Sequence, residues 1–314
     1  MSDASEFKLE QVSVDKISPN KDNPRIVFRP GELEELLESI RIHGIQVPIS
    51  VYKDGGSYVL IDGERRWRCS LKLNKKSIPA LVQKKPDALG NLLLMFNIHS
   101  LREQWDLLTI ALKLPAVISL LKKKLGDVPS EKEISEQTGL ARSVIRRCKL
   151  LMELPDEFQK EILTELNKPK GQQRITEDFF IELERSLKTV ERAIPGVIPD
   201  KSKVRRLLID KYKAGVVTSK LQLRKIAKIA RSENVGVSKE TAEVELTKLF
   251  ADASYSIDDA YEKSVAQAYT DRDVLTVTTS LIKSFKELEP DDIDDEARTA
   301  LIELRGQIDR LVEE

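Results

Sequence analysis

Apolar and polar positions in the first part of the 314-residue chain alternate between the rhythms of strands and helices. Val12-Ser13-Val14-Asp15-Lys16-Ile17 has period two, as a half-buried strand does, and Ser18-Pro19-Asn20 ends it. Leu33, Leu36, Leu37 and Ile40 recur at helical spacing. That helix is launched by Arg29-Pro30-Gly31-Glu32, and Gly44 is placed to cap its end. Ile49-Ser50-Val51-Tyr52 and Tyr58-Val59-Leu60-Ile61 flank Asp54-Gly55-Gly56-Ser57, a hairpin signal. A charged segment with Trp67, Leu71 and Leu73 follows as a helix, and Ser77-Ile78-Pro79-Ala80-Leu81-Val82 as another strand. Lys84-Lys85-Pro86-Asp87 closes this α+β part, and from Ala88 on the pattern is helical.

The first strong helix after Ala88 runs through the apolar stretch Asn91–Ser100, and another begins at Arg102-Glu103-Gln104-Trp105-Asp106. Ser130 and Glu133 then form a capping box, Ile134 and the small Ser135 face inward, Gly139 makes a turn, and Val144 or Ile145 anchors a second helix. Small residues and a glycine that let two short helices cross closely are the grammar of a helix-turn-helix. Its second helix presents Arg142, Ser143, Arg146 and Arg147 to solvent with Lys149 beside them, a set suited to phosphates and guanine edges. A helical hairpin with a charged outside would carry the same pattern. Breakers at Asn167–Gln173 and Ile194–Pro199 flank a helix at Glu177–Arg192. Thr218-Ser219 caps a helix with Leu221, Leu223, Ile226 and Ile229. In the last helix Ala297, Leu301, Leu304, Ile308 and Leu311 make a heptad-like seam, which fits packing within the chain or pairing of two chains. Gly306 weakens either by about 1 kcal/mol.

Net charge is zero over the whole sequence, but the charges are segregated. Residues 201–231 carry eleven Lys and Arg against Asp210, a balance of +10, whereas residues 240–314 hold twenty Asp and Glu against eight Lys and Arg, a balance of −12. The basic block, with Arg224 and Lys228 on its helix, fits a surface that grips DNA backbone or equally a solvated face. No apolar run is long enough for a membrane span and the N-terminus has no signal pattern, so the expected location is cytoplasmic, associated with nucleoid or plasmid, with no membrane partner. Cys69 and Cys148 are expected to be reduced thiols. His43, just before the Gly44 cap, is expected to be a surface imidazole.

The most chemically suggestive stretch is Leu60-Ile61-Asp62-Gly63-Glu64-Arg65-Arg66-Trp67-Arg68, which reads as strand, glycine turn and helix start. Gly63 lets a ligand approach the backbone, first-turn N–H groups point at the same spot, and Arg65 and Arg66 add forked donors. No core role is evident for Arg66. A plain surface helix start with exposed arginines fits the same residues.

The order Asn23-Pro24-Arg25, helix, Gly44-Ile45-Gln46-Val47-Pro48-Ile49, strand, Gly63-Glu64-Arg65-Arg66, helix, Ile78-Pro79-Ala80 resembles the amino-terminal domain of the ParB family of DNA partition proteins, over roughly residues 10–85. The resemblance implies a ParB/sulfiredoxin-like α+β domain with a small mixed sheet, then an all-α helix-turn-helix domain and a helical C-terminal region. The expected boundaries, set by the resemblance in the first part and by composition and pattern elsewhere, are a disordered 1–10, a nucleotide-binding domain at 11–87, a DNA-binding domain at 88–165, a helical middle at 166–237 and an acidic region at 238–314. Also implied are a nucleoside triphosphate, typically CTP with magnesium, held by Gly44, Gln46, Pro48, Gly63, Glu64, Arg65, Arg66 and Asn97, together with double-stranded DNA, a homodimer and a partition ATPase as partners. The family's second phosphate and metal motif is altered here: Phe96 stands at its acidic position, His99-Ser100 replaces a Gln-Arg pair and Arg102 is displaced. Hydrolysis is therefore expected to be slow at most. A transcriptional regulator or phage-type DNA-binding protein without nucleotide switching is the main rival reading, a nuclease or nucleotide-hydrolysing enzyme the third. In sulfiredoxins a reactive cysteine takes the position of Glu64, and Cys69 lies too far into the helix to replace it.

Overall fold

A computed structural model of the chain describes residues 7–23, 30–100, 106–289 and 292–312. The chain divides into two compact units, Met1–Arg185 and Ser186–Glu314. The first is built on a five-stranded mixed sheet in the order β1-β5-β3-β4-β2, formed by β1 (Lys8–Ser13), β2 (Ile17–Ser18), β3 (Ile49–Asp54), β4 (Ser57–Asp62) and β5 (Ser77–Gln83). β1 with β5 and β3 with β4 run antiparallel; β5 with β3 and β4 with β2 run parallel. Helices α1 (Pro30–His43) and α2 (Glu64–Lys72) pack together beside it. The α+β fold class expected for the first part, and the largely helical remainder, stand as expected.

Two local differences have physical causes. Lys8–Glu10, inside the stretch expected to be disordered, are strand, because Lys8, Leu9 and Glu10 pair with Val82, Leu81 and Ala80 of β5. The alternating run Val12–Ile17 is not one strand. Val14–Lys16 forms a 3-10 turn in which the Val14 amide donates to the Lys76 carbonyl, and the chain passes from one edge of the sheet to the other. Val12, Val14 and Ile17 all reach the same core, with Ile49, Val51, Leu60, Ile78 and Ala80, and Trp67 of α2 packs on it while its indole N–H donates to the Val14 carbonyl.

Helix α3 (Ala88–Ser100) leads into the helical part, with Phe96 completely buried. Next come α4 (Leu107–Leu125), α5 (Glu131–Thr138), α6 (Arg142–Met152), α7 (Asp156–Leu166) and α8 (Glu177–Ala193). Arg102 and the expected helix start at 102–105 lie outside the described residues, as do the side chains of His99 and Ser100. Both cysteines are free and buried, and burial pushes the Cys148 thiol up to about 12.

The second unit contains α9 (Lys201–Lys213), α10 (Leu223–Ala230), α11 (Lys239–Ala251), α12 (Ile257–Ser264), α13 (Ala266–Phe285) and α14 (Asp295–Val312). Ser219 caps a 3-10 turn at Lys220–Gln222 that runs into α10, whose Leu223, Ile226 and Ile229 are buried while Leu221 is exposed. Of the two roles open to the seam, packing within the chain is not seen: α14 has no buried residue, with Ile308 46% and Leu311 73% exposed, and no described element covers it.

Two members of the basic block are interior groups. Arg205 is 6% and Lys211 1% exposed. The Lys211 ammonium donates to the carbonyls of Leu249 and Tyr255, 2.7 Å each, tying α9 to the end of α11 and the loop before α12. Burial lowers its pKa from 10.5 to about 8, against the pull of Asp252. Between these values the unfolded chain binds more protons than the folded one, so stability rises with pH through that window and is lost again as pH falls through the folded value. Urea unfolding of the second unit followed from about pH 7.5 to 10.5 is expected to show a gain of about 1–3 kcal/mol that Lys211→Met abolishes. An identical pH profile in the variant would show that Lys211 does not titrate this way.

Candidate functional site

Strand β4 ends at Asp62 and the chain turns on Gly63 into α2. Gly63 has φ 94 and ψ 23, a left-handed conformation, and an added Cβ would stand 2.6 Å from Ile49 Cγ2. Both facts demand glycine. As N-cap, Gly63 has no side chain to accept from the first-turn amides, so α2 starts without a side-chain cap at the end where backbone donors and the helix dipole favour an anion.

Arg66 holds this turn against the loop after α1. One guanidinium nitrogen donates to the carbonyls of Val47 and Pro48 at 2.7 and 2.9 Å, the other to Asp62 at 2.9 Å, with the side chains 15% and 11% exposed. The expectation that Arg66 lacks a structural role is therefore corrected. Its fork satisfies two main-chain carbonyls of one loop and one carboxylate at the end of β4, a geometry that sequence spacing does not reveal. Gly44 ends α1 with φ 73, and the Gln46 side chain donates to the His43 carbonyl. Gly44, Gln46, Pro48, Gly63 and Arg66 thus line adjoining segments, with Arg65 and Glu64 in the first turn of α2.

Glu64 is turned to other work. It is 8% exposed, accepts two bonds from Arg68 at 2.9 and 2.6 Å, and accepts the amide of Asn23. Asn23 begins the Asn-Pro-Arg stretch, whose Pro24 and Arg25 lie outside the described residues. A buried amide cluster missed by sequence reasoning fixes the same loop: Asn20 donates to Asn91 of α3 at 2.9 Å, and Asn91 donates to Asp22 at 3.1 Å. The available signal was Asn91, a polar residue opening an apolar helix. Asn97, expected at the phosphates, has its amide 3.5 Å from the Gln137 carbonyl at the end of α5.

The second constellation is α5, Gly139 and α6. Both halves of the Ser130–Glu133 capping box form, and Gly139 takes φ 72. Ile134 and Ile145 are buried; the small residue facing inward is Thr138, completely buried, while Ser135 is only half-buried and donates to the Leu140 carbonyl. On α6, Arg142, Ser143 and Arg146 are exposed. Arg146 and Lys149 both reach Glu131, at 3.0 and 3.2 Å. Burial would raise the Glu131 carboxyl, but these two cations outweigh it and lower the pKa. Arg147 departs from the expected face: 32% exposed, it turns to Asp178 of α8, because one position along a helix rotates a side chain by about 100°. Beside it Glu177 accepts the Leu108 amide at the start of α4, and burial raises its pKa to about 7.

Residues 2–95 match the family model described as the ParB N-terminal domain. This N-terminal part is similar to the ParB family. Nucleoid occlusion proteins from Listeria monocytogenes (34% identical over 158 residues, 50% of this chain and 53% of the relative) and Bacillus pumilus (32% over 164 residues, 51% and 54%) are similar to it. The chain spans about half the length of these curated relatives in the match. Among solved structures, a Pnob8-like ParB-N domain is 17% identical over 79% of this chain and 100% of that one, with a TM-score of 0.49. The C-terminally truncated chromosome-partitioning protein ParB of Caulobacter crescentus, complexed to the centromeric parS site, is 23% identical over 71% of this chain and 98% of that one, with a TM-score of 0.43.

The Gly63 turn generates a stability prediction. Arg66→Ala is expected to cost about 2–4 kcal/mol in urea unfolding, since charge-assisted bonds to two carbonyls and an ion pair are lost, and Gly63→Ala to cost at least about 2 kcal/mol. Changes within about 0.5 kcal/mol would show that neither residue supports the turn. On α6, Arg147→Ala is expected to lower thermal stability without altering base preference. Arg146→Ala is expected to cost about 1–3 kcal/mol on a selected DNA duplex and relax preference at one base pair, read by binding to a panel of single-base variants. Interchanged phenotypes would reverse the assignment of the two arginines.

Proposed function

We propose that this chain is a ParB-family, sequence-specific DNA-binding protein of partition or nucleoid occlusion whose engagement with DNA responds to a nucleoside triphosphate, CTP first among candidates. The left-handed Gly63 turn at the uncapped start of α2 carries this reading, because it lies inside the matched ParB domain and offers backbone donors and arginines to phosphates. The hydrogen bond from Asn23 to Glu64 and the Arg66 fork support it by drawing the Asn20–Asn23 and Gly44–Pro48 segments to the same turn.

The α5–α6 pair serves as the DNA-reading helix-turn-helix, with Arg142, Ser143 and Arg146 meeting DNA and Lys149 close to the backbone. Two protomers each read half of a pseudo-palindromic site. Exposed apolar positions on α13 and α14, such as Leu275, Ile282, Ile302 and Leu311, support pairing through the C-terminal region. Nucleotide favours engagement of the two amino-terminal domains, closing a clamp around DNA, and shifts this open–closed equilibrium only by its difference in affinity for the two forms. No set of three His, Cys, Asp or Glu side chains converges among the described residues.

A second reading, a DNA-binding regulator without nucleotide switching, is favoured by one observation. Phe96, at the place where an acidic residue would serve the second phosphate motif, is completely buried, and the Asn97 amide goes to Gln137. Calorimetry with CTP, ATP, GTP and UTP, with and without a selected duplex, separates the two. CTP is expected to bind, and Arg65→Ala to weaken it by about one to two orders of magnitude, the worth of one charge-assisted bond. Hydrolysis is expected to be slow or absent. If none of the four binds in either condition, the regulator reading replaces the switch.

A further inference from the structure

Helices α10, α12 and α13 meet around two tyrosines. The rings of Tyr261 and Tyr269 stack with centroids 6.1 Å apart and planes at 30°, and the residues are 9% and 6% exposed. Cations cover them: Lys225 lies 4.9 Å from the Tyr261 centroid, Lys228 5.6 Å from Tyr261 and 4.8 Å from Tyr269, and Arg272 4.7 Å from Tyr269. Only Lys225 has a close carboxylate, Asp258 at 2.8 Å. Among the described residues Arg272 meets no carboxylate but Asp273 of its own helix, at 3.8 Å, and neither Lys228 nor Arg231 has an ion pair.

An ammonium held over an aromatic face is attracted by the ring's quadrupole. It keeps its full charge and loses some of the freedom that binding would otherwise remove. Arg224, Lys228 and Arg231 are exposed and recur at spacings of four and three along α10, a row about 10 Å long, opposite the buried Leu223, Ile226 and Ile229. That length faces several phosphates of a duplex, which carries a charge every ~1.7 Å of axis. The nearly buried rings leave no platform for an unpaired base, which disfavours single-stranded nucleic acid.

We propose that Lys228, Arg231 and Arg272, seated on and beside Tyr261 and Tyr269, form a backbone-binding surface for double-stranded DNA, with Arg224 extending it along α10. The surface adds affinity without sequence information. It rests on the reading of the chain as a DNA-binding protein.

The test measures affinity of the full chain against salt concentration, on a duplex selected from a random pool and on a duplex of random sequence. Lys228→Ala with Arg231→Ala is expected to reduce the salt slope by about two units, close to 0.9 per phosphate contact, and to weaken both duplexes by the same factor. Tyr269→Phe should leave binding unchanged. Tyr269→Leu, which removes the ring and keeps every charge, should lower affinity several-fold with little change of slope; if it fails to fold by circular dichroism, the charge variant decides alone. An unchanged slope in a charge variant whose wild type still prefers its selected duplex overturns this surface and leaves the DNA-binding reading intact. Loss confined to the selected duplex overturns it in favour of a base contact, and a wild type that binds neither duplex overturns both.

Discussion

The Arg66 guanidinium joins three segments that no sheet or helix hydrogen bond connects: the Val47–Pro48 loop, the end of β4 at Asp62 and the first turn of α2. With Gly63 in the left-handed region and Ile49 Cγ2 leaving no room for a Cβ beneath it, this fork fixes how the loop after α1 stands over the helix start. A phosphate site built from backbone donors needs its amides held in place before the ligand arrives, since ordering them on binding would reduce affinity. Glu64 extends the same logic outward by fastening Asn23, and Asn20 with Asn91 carries it to α3.

Much of this was legible in the sequence, for reasons that differ from place to place. The Asp54–Ser57 hairpin, the Gly63 turn and the Ser130 capping box are local: their partners lie within a few residues, so spacing alone specifies them. The apolar periodicity of α1 and α10 shows which face is buried for the same reason. Arg66, Arg147 and Lys211 do not declare their partners in sequence, because an exposed cation and a cation that satisfies buried carbonyls or a distant carboxylate look alike in one dimension. Val14–Lys16 misled because a 3-10 turn can keep Val12, Val14 and Ile17 in one core as well as a strand does.

Charge segregation along the chain also takes a different form in three dimensions. Removing Arg205 and Lys211 to the interior and Lys225 to Asp258 leaves a narrower set of surface cations than the eleven counted in sequence, of which Lys228 lies over Tyr261 and Tyr269 beside Arg272. Among the described residues the acidic C-terminal helices keep much of their apolar surface uncovered, with Leu275 66% and Leu311 73% exposed.

The central claim is that a nucleoside triphosphate settles on the Gly63 turn held by Arg66. Amide hydrogen exchange of the full chain with and without CTP tests it most directly. Slowed exchange at residues 44–48 and 63–67, spreading to Asn20–Asn23, is the predicted result. Unchanged exchange in those segments at CTP concentrations up to the millimolar range, or protection confined to other parts of the chain, would contradict it.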